Sequence, residues 1–246
     1  MATLFNIEFS ELSETELREF IRKKIERRRP CYIVSPTLTH ARIVHKNENF
    51  RSALKASELR LCDSEALLWM LALKRRSIRR RMAAKSLVSR LFKWAEIEGI
   101  RIYVVGDDRS MLEKIRIQYP KAVRGVSCLS HYRSSDLYDE SNEVVMRDIR
   151  AAKPDILMVS LEVKRQEYWA RNCFFASGAT ITFCVGRSLR GAEGRFMPAL
   201  EKENARGPGW VWRFLGKNRY FWFCPLKDVC FLLIFGVFEL NKNKSA

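Results

Sequence analysis

Apolar residues in this chain gather in short, dense runs, and the stretches between them carry helical spacing. Residues 10–28 open with Ser-Glu-Leu-Ser-Glu-Thr-Glu, in which Ser13 and Glu16 have capping-box spacing. Leu17, Phe20, Ile21 and Ile25 then form one apolar stripe, and Pro30 stops the helix. Cys31 to Thr37 reads as a strand ended by Pro36, Thr39 to Ala56 as helical, Leu59 to Cys62 as a short strand, and Ser64 to Leu73 as a helix. A further helical stretch ends at the glycine stop Glu98-Gly99. Arg101 to Gly106 is a buried strand, Asp107-Asp108-Arg109 opens a helix that ends at Tyr119-Pro120, and Ala122 to Ser127 is another strand. Helix over Asn142 to Ala152, strand over Asp155 to Leu161, helix over Gln166 to Ala176 and strand over Thr180 to Gly186 complete the series.

The chain is organised around Lys153 to Trp169, KPDILMVSLEVKRQEYW. Its unbroken apolar run fits a strand covered on both faces, the kind found in parallel sheets flanked by helices. Strand and helix alternate throughout, so the expected class is α/β: a doubly wound, mostly parallel six-stranded sheet, Rossmann-like. The expected division is an N-terminal peripheral helix over 1–30, the Rossmann-like domain over 31–200 and an aromatic, basic appendage over 201–246. In such sheets ligands bind beyond the carboxyl ends of the strands, where loops and helix N-termini converge. Ser35, Thr37, Asp63, Gly106, Ser160 to Gln166 and Gly186 all fall at those ends.

Charge sharpens the picture. A net charge of +17 over 246 residues calls for an anionic partner: nucleic acid, lipid headgroups or a phosphorylated substrate. Residues 74–93 hold Lys or Arg at nine positions and no acid, which reads either as a solvated face or as a binding patch. Between Trp210 and Phe238 many aromatics alternate with Arg213, Lys217, Arg219 and Lys227. That mixture suits a membrane–water interface or, equally, packing against the main domain. No run approaches the ~20 apolar residues of a membrane span, and no signal segment opens the chain, so a cytoplasmic protein, soluble or peripheral on the membrane's inner face, is expected.

Candidate chemistry is sparse on residue type alone. The seven cysteines include no Cys-x-x-Cys pair and are read as small buried hydrophobes. The three histidines are scattered, with His40 and His45 on different helix faces, so no metal site is expected. Gly-x-Gly-x-x-Gly and Walker motifs are absent, leaving no cofactor expected. Asp63, between a strand and a helix, suits either an N-cap or a catalytic carboxylate.

Several segments in order resemble the WecG/TagA/CpsF family of bacterial glycosyltransferases: Ser35-Pro36-Thr37, Cys62-Asp63-Ser64, Arg81 to Leu87, Val105-Gly106, Lys153-Pro154-Asp155, Lys164 to Trp169, Val185-Gly186 and Trp210 to Arg213. The Lys-Pro-Asp to Gln-Glu-x-Trp block is the most specific of them. The resemblance implies an inverting, metal-independent transfer of a sugar from a UDP-sugar or other nucleotide-sugar donor to a polyprenyl-diphosphate-linked glycan, for surface polysaccharide. It implies Asp63 as general base and Ser35, Thr37, Arg81, Gly106, Gln166, Glu167 and Gly186 around the donor. Trp210, Arg213 and Arg219 would meet the acceptor at an anionic membrane surface. Nucleic acid is then the disfavoured partner, and a homo-oligomer stays open. Ser64 stands where the family has Gly, Thr37 where it has Asn, and Ala84 and Ser86 where it has Gly and Asp. These departures keep a second possibility: a catalytically impaired nucleotide-sugar- or nucleic-acid-binding protein on the same fold.

Overall fold

The computed structural model describes residues 2–62, 64–73, 84–129, 140–191, 230–232 and 234–236. Strands β1 (Ala2–Leu4) and β2 (Ile7–Phe9) form an antiparallel hairpin that the hydrophobic pattern does not announce. Helix α1 (Glu14–Arg27) follows with the expected capping box, Glu16 N donating to Ser13 Oγ and Ser13 N to Glu16 Oε2. Strand β3 (Cys31–Val34) leads to α2 (Leu38–Lys46) and α3 (Glu48–Ala56), then to β4 (Leu59–Arg60) and α4 (Glu65–Leu73). Beyond α5 (Ala84–Glu98) come β5 (Ile102–Gly106), α6 (Arg109–Gln118), β6 (Val123–Cys128), α7 (Glu140–Ala152), β7 (Ile156–Ser160), α8 (Arg165–Cys173) and β8 (Ile181–Cys184). A 3₁₀ segment, Gly186–Gly191, closes the described domain.

Six strands make one sheet in the order β4-β3-β8-β7-β5-β6, every pair parallel. Each strand contributes alternate side chains to opposite faces. Ile33, Phe183, Met158 and Val104 face one core, shared with Leu17 and Ile21 of α1 and with Leu91 and Phe92 of α5. Val34 and Cys184 face a second core with the hairpin, α2, α3 and α4. Leu157, Val159 and Val105 face a third with α7 and Trp169 of α8. Helices thus cover both faces, which is why the central strands carry no polar alternation.

The helix expected across 39–56 is broken at Asn47, whose side chain accepts from Phe50 N at 2.9 Å and so caps α3 while ending α2. Strand β4 is shorter than its apolar run, and its outer edge is met by the chain leaving the hairpin: Ser10 N donates to Arg60 O, and Arg60 N to Ser10 Oγ. The Arg60 guanidinium reaches the carbonyls of Glu8 and Ser57, tying hairpin to α3. Cys31, Cys62, Cys173 and Cys184 are buried thiols; burial, with the Glu58 charge adding, pushes Cys31 up to about 12. Cys128 and Cys230 are exposed.

Of the appendage, only 230–232 and 234–236 are described. Phe231 is buried against Phe5 of the hairpin turn, with ring centroids 5.0 Å apart, and Phe235 lies 4.3 Å from the His45 ring of α2. These two aromatics pack on the main domain. Trp210, Arg213 and Arg219 lie outside the described residues, as do Asp63 and Arg81.

At the amino edge of the sheet, Asp155 accepts from Arg101 N (2.9 Å), Nε (3.0 Å) and Nη2 (2.8 Å), clasping the starts of β7 and β5. Burial alone would raise this carboxyl, but the Arg101 hydrogen bonds outweigh it and hold Asp155 below its ordinary value. Its stabilisation is therefore complete above the unfolded-state pKa and lost as pH falls through the lower folded one. Asp155→Asn is expected to lower unfolding stability at pH 7 by about 1–2 kcal/mol, allowing for the half-exposed guanidinium. Urea titrations should show that gap closing below about pH 4, as both proteins become uncharged at this position.

Candidate active site

The connections place a crevice at the opposite edge. Strand β3 is followed by elements leading outward to β4, whereas the chain leaving β8 turns into the 3₁₀ segment that packs on α5 and β7. Likewise β5 leads outward to β6, while α8 carries β7 back toward β8. Neighbouring strands whose connections part in opposite directions leave an opening beyond their carboxyl ends. Ser35 and Thr37 after β3, Gly106 ending β5, Ser160 ending β7 and Gly186 after β8 all stand on this edge.

A hydrogen-bond network runs through Thr37, Ser160 and Gly186 by way of α2 and α8. Gly186 N donates to Gln166 Oε1 at 2.9 Å, which fixes the orientation of that amide. Gly186 O accepts from Ser160 Oγ at 2.7 Å. Gln166 Nε2 donates to Glu167 Oε1 at 2.5 Å, and Lys164 N to Glu167 Oε2 at 2.8 Å. Lys164 holds the turn into α8 at φ 76, a conformation that strains an L residue. Glu167 is 0% exposed. A third hydrogen-bond partner is His40 of α2, with Nε2 3.0 Å from Oε1. On the far side of that ring, Nδ1 lies 3.1 Å from Thr37 N and 3.0 Å from Thr37 Oγ1.

The structure thus brings Thr37, Gln166, Glu167 and Gly186 into one connected group, with Ser35 close in sequence and Gly106 paired across the sheet to Ser160. Glu167 is held between Gln166 and His40, both hydrogen-bonded to its Oε1. The Ser35 hydroxyl is buried and has no hydrogen-bond partner among the described residues. Two groups go unannounced by the sequence. His40 carries no motif of its own, and its partner Glu167 is remote in the chain. Arg165, beside Gln166, donates from Nη2 to Leu129 O at 3.0 Å, setting a guanidinium between the start of α8 and the loop after β6. Trp169 of the same block is fully buried, donating from Nε1 to Asn142 Oδ1 at 2.8 Å, and anchors α8 on α7. Among the described residues no group of His, Cys, Asp or Glu could hold a metal ion.

The family model described as glycosyl transferase WecG/TagA/CpsF family matches residues 2–245, essentially the whole chain. No curated protein matches it.

Gly186 has φ 51, in the left-handed region that a Cβ disfavours. Gly186→Ala is expected to destabilise the fold by about 1 kcal/mol. That should appear as a fall of roughly 2–4 °C in the thermal midpoint, since a Cβ there meets Gln166 only at ordinary van der Waals distance.

Proposed function

The chain belongs to the WecG/TagA/CpsF family of glycosyltransferases, and from that premise we propose an inverting transfer of a sugar from a UDP-sugar, or another nucleotide-sugar, to a polyprenyl-diphosphate-linked glycan. What carries the reading is the convergence of Ser35, Thr37, Ser160, Gln166 and Gly186 on one sheet edge, with a buried hydroxyl that has no partner among the described residues. A strand edge lined with hydroxyls and amides suits a polyhydroxylated substrate, because each buried polar group discriminates against a partner that leaves it unpaired. Gly106 keeps its strand end low: a Cβ there would press on Leu112 Cδ2 at 3.2 Å.

Asp63 is assigned as general base, taking the proton of the acceptor hydroxyl as it attacks the anomeric carbon from the face opposite the departing nucleotide diphosphate. Charge developing on that diphosphate needs cations. Arg81 is assigned there, and Arg165 stands at the same sheet edge as a second guanidinium; a planar fork suits phosphate oxygens. The appendage over 201–246, with Trp210, Arg213 and Arg219, is assigned to the lipid-linked acceptor at an anionic membrane surface on the cytoplasmic side. No helix among the described residues is long and apolar enough to cross a membrane.

A second reading, nucleotide-sugar binding without turnover, rests on Ser64, Ala84 and Ser86 standing where the family has Gly, Gly and Asp. Thermal-shift measurements with UDP, GDP and their sugars test the donor class, since a ligand binding only the native state raises its melting temperature. Asp63→Asn should lower kcat by roughly 10²–10⁴-fold with the melting temperature unchanged. Equal turnover in the purified variant removes Asp63 from the mechanism. Donor binding by the wild type without turnover on any lipid-linked acceptor establishes the second reading instead.

A further inference from the structure

The chain Glu167–His40–Thr37 has only one consistent direction. A carboxylate accepts and does not donate, and Glu167 already accepts from Lys164 N and Gln166 Nε2. The hydrogen between Glu167 Oε1 and His40 Nε2 therefore belongs to the imidazole. At the other end, Thr37 N–H can only donate, and it points at His40 Nδ1 from 3.1 Å. Nδ1 is thus the bare nitrogen, and the Thr37 hydroxyl, 3.0 Å from it, can bond to it only by donating its own hydrogen. The ring cannot turn to relax this arrangement, because His40 is 2% exposed and packed against Phe50 at a centroid distance of 5.8 Å.

We propose that Glu167, through the Nε2–H tautomer of His40, holds Thr37 as a hydrogen-bond acceptor, so that Thr37 recognises a hydroxyl or amide N–H of the donor's sugar and not a phosphate oxygen. This rests on the nucleotide-sugar reading of the site. With the hydroxyl proton committed to His40, the oxygen can meet a ligand only as an acceptor, and a phosphate oxygen placed there meets only repulsion. Half-buried Thr37 stands two residues beyond Ser35, whose buried hydroxyl lacks a partner among the described residues. His40 and Glu167 are positioning residues: they act through Thr37 and touch no substrate.

The full-length chain tests this in two ways. In long-range ¹H–¹⁵N spectra of histidine-labelled wild type, His40 should be the Nε2–H tautomer; Nδ1–H would overturn the proposal without any ligand. Calorimetric titration with UDP and with the tightest-binding member of a panel of UDP-hexoses and UDP-N-acetylhexosamines then reads recognition. Thr37→Val should weaken the UDP-sugar about tenfold, one lost hydrogen bond in a buried site, and leave UDP within about twofold. His40→Asn sets an amide oxygen near the place of Nδ1 and should stay close to wild type. His40→Gln, which restores only the Nε2 donor, should behave like Thr37→Val. Equal effects of the two His40 variants, or a loss for UDP as large as for the UDP-sugar, would overturn the proposal. Should no nucleotide-sugar bind the wild type, the donor reading fails separately, and the tautomer still decides whether Thr37 is held as an acceptor.

Discussion

A carboxylate sealed from water must be surrounded by donors, and Glu167 imposes that demand at the centre of this structure. Removing such a charge from solvent is tolerable only when its lone pairs are filled. The donors that fill them come from separate places: the backbone turn at Lys164, the neighbouring Gln166 and His40 on α2. Satisfying one charge therefore sets the entry angle of α8, the spacing between α8 and α2, and the side-chain conformations of Gln166 and His40. Gln166 passes the constraint on to Gly186, and Gly186 to Ser160. The carboxyl edge of three strands is in this sense arranged around a carboxylate sealed from solvent.

The two edges of the sheet divide their tasks. At the amino edge, Asp155 and Arg101 make a bidentate clasp reinforced by a backbone N–H, geometry that serves cohesion alone. At the carboxyl edge the backbone is strained at Lys164 and left-handed at Gly186, and the buried Ser35 hydroxyl has no partner among the described residues. The block from Lys153 to Trp169 runs from one edge to the other. Its Asp155 and Trp169 secure the scaffold, whereas Gln166 and Glu167 shape the crevice. A family-specific sequence block here combines architecture with chemistry.

Much of this was legible in the chain. Strands β3, β5, β7 and β8 are fully buried, and such strands leave unbroken apolar runs. The capping box of α1 and the positions of Ser35, Thr37, Gly106, Gln166 and Gly186 at strand ends followed from local rules. Three features did not. The hairpin turns at Phe5-Asn6, both with positive φ, but without the glycine that usually marks such a turn. Asn47 breaks a continuous helical pattern because its side chain competes for the backbone, which spacing alone does not register. His40 looked isolated because its meaning depends on a carboxylate that only the folded chain brings near. Position alone left Asp63 between an N-cap and a catalytic carboxylate; the family resemblance supplied its role and Arg81, and both residues lie outside the described ones.

The contact between Phe231 and Phe5 ties together two segments that lie far apart in the chain. A hairpin is a local structure, yet a ring shielding its turn arrives only by long-range closure. Losing Phe231 would strip apolar cover from Phe5 and from the His45 side of α2 while leaving every pairing of the parallel sheet in place. Such a loss should be felt as stickiness at the hairpin rather than as loss of the sheet.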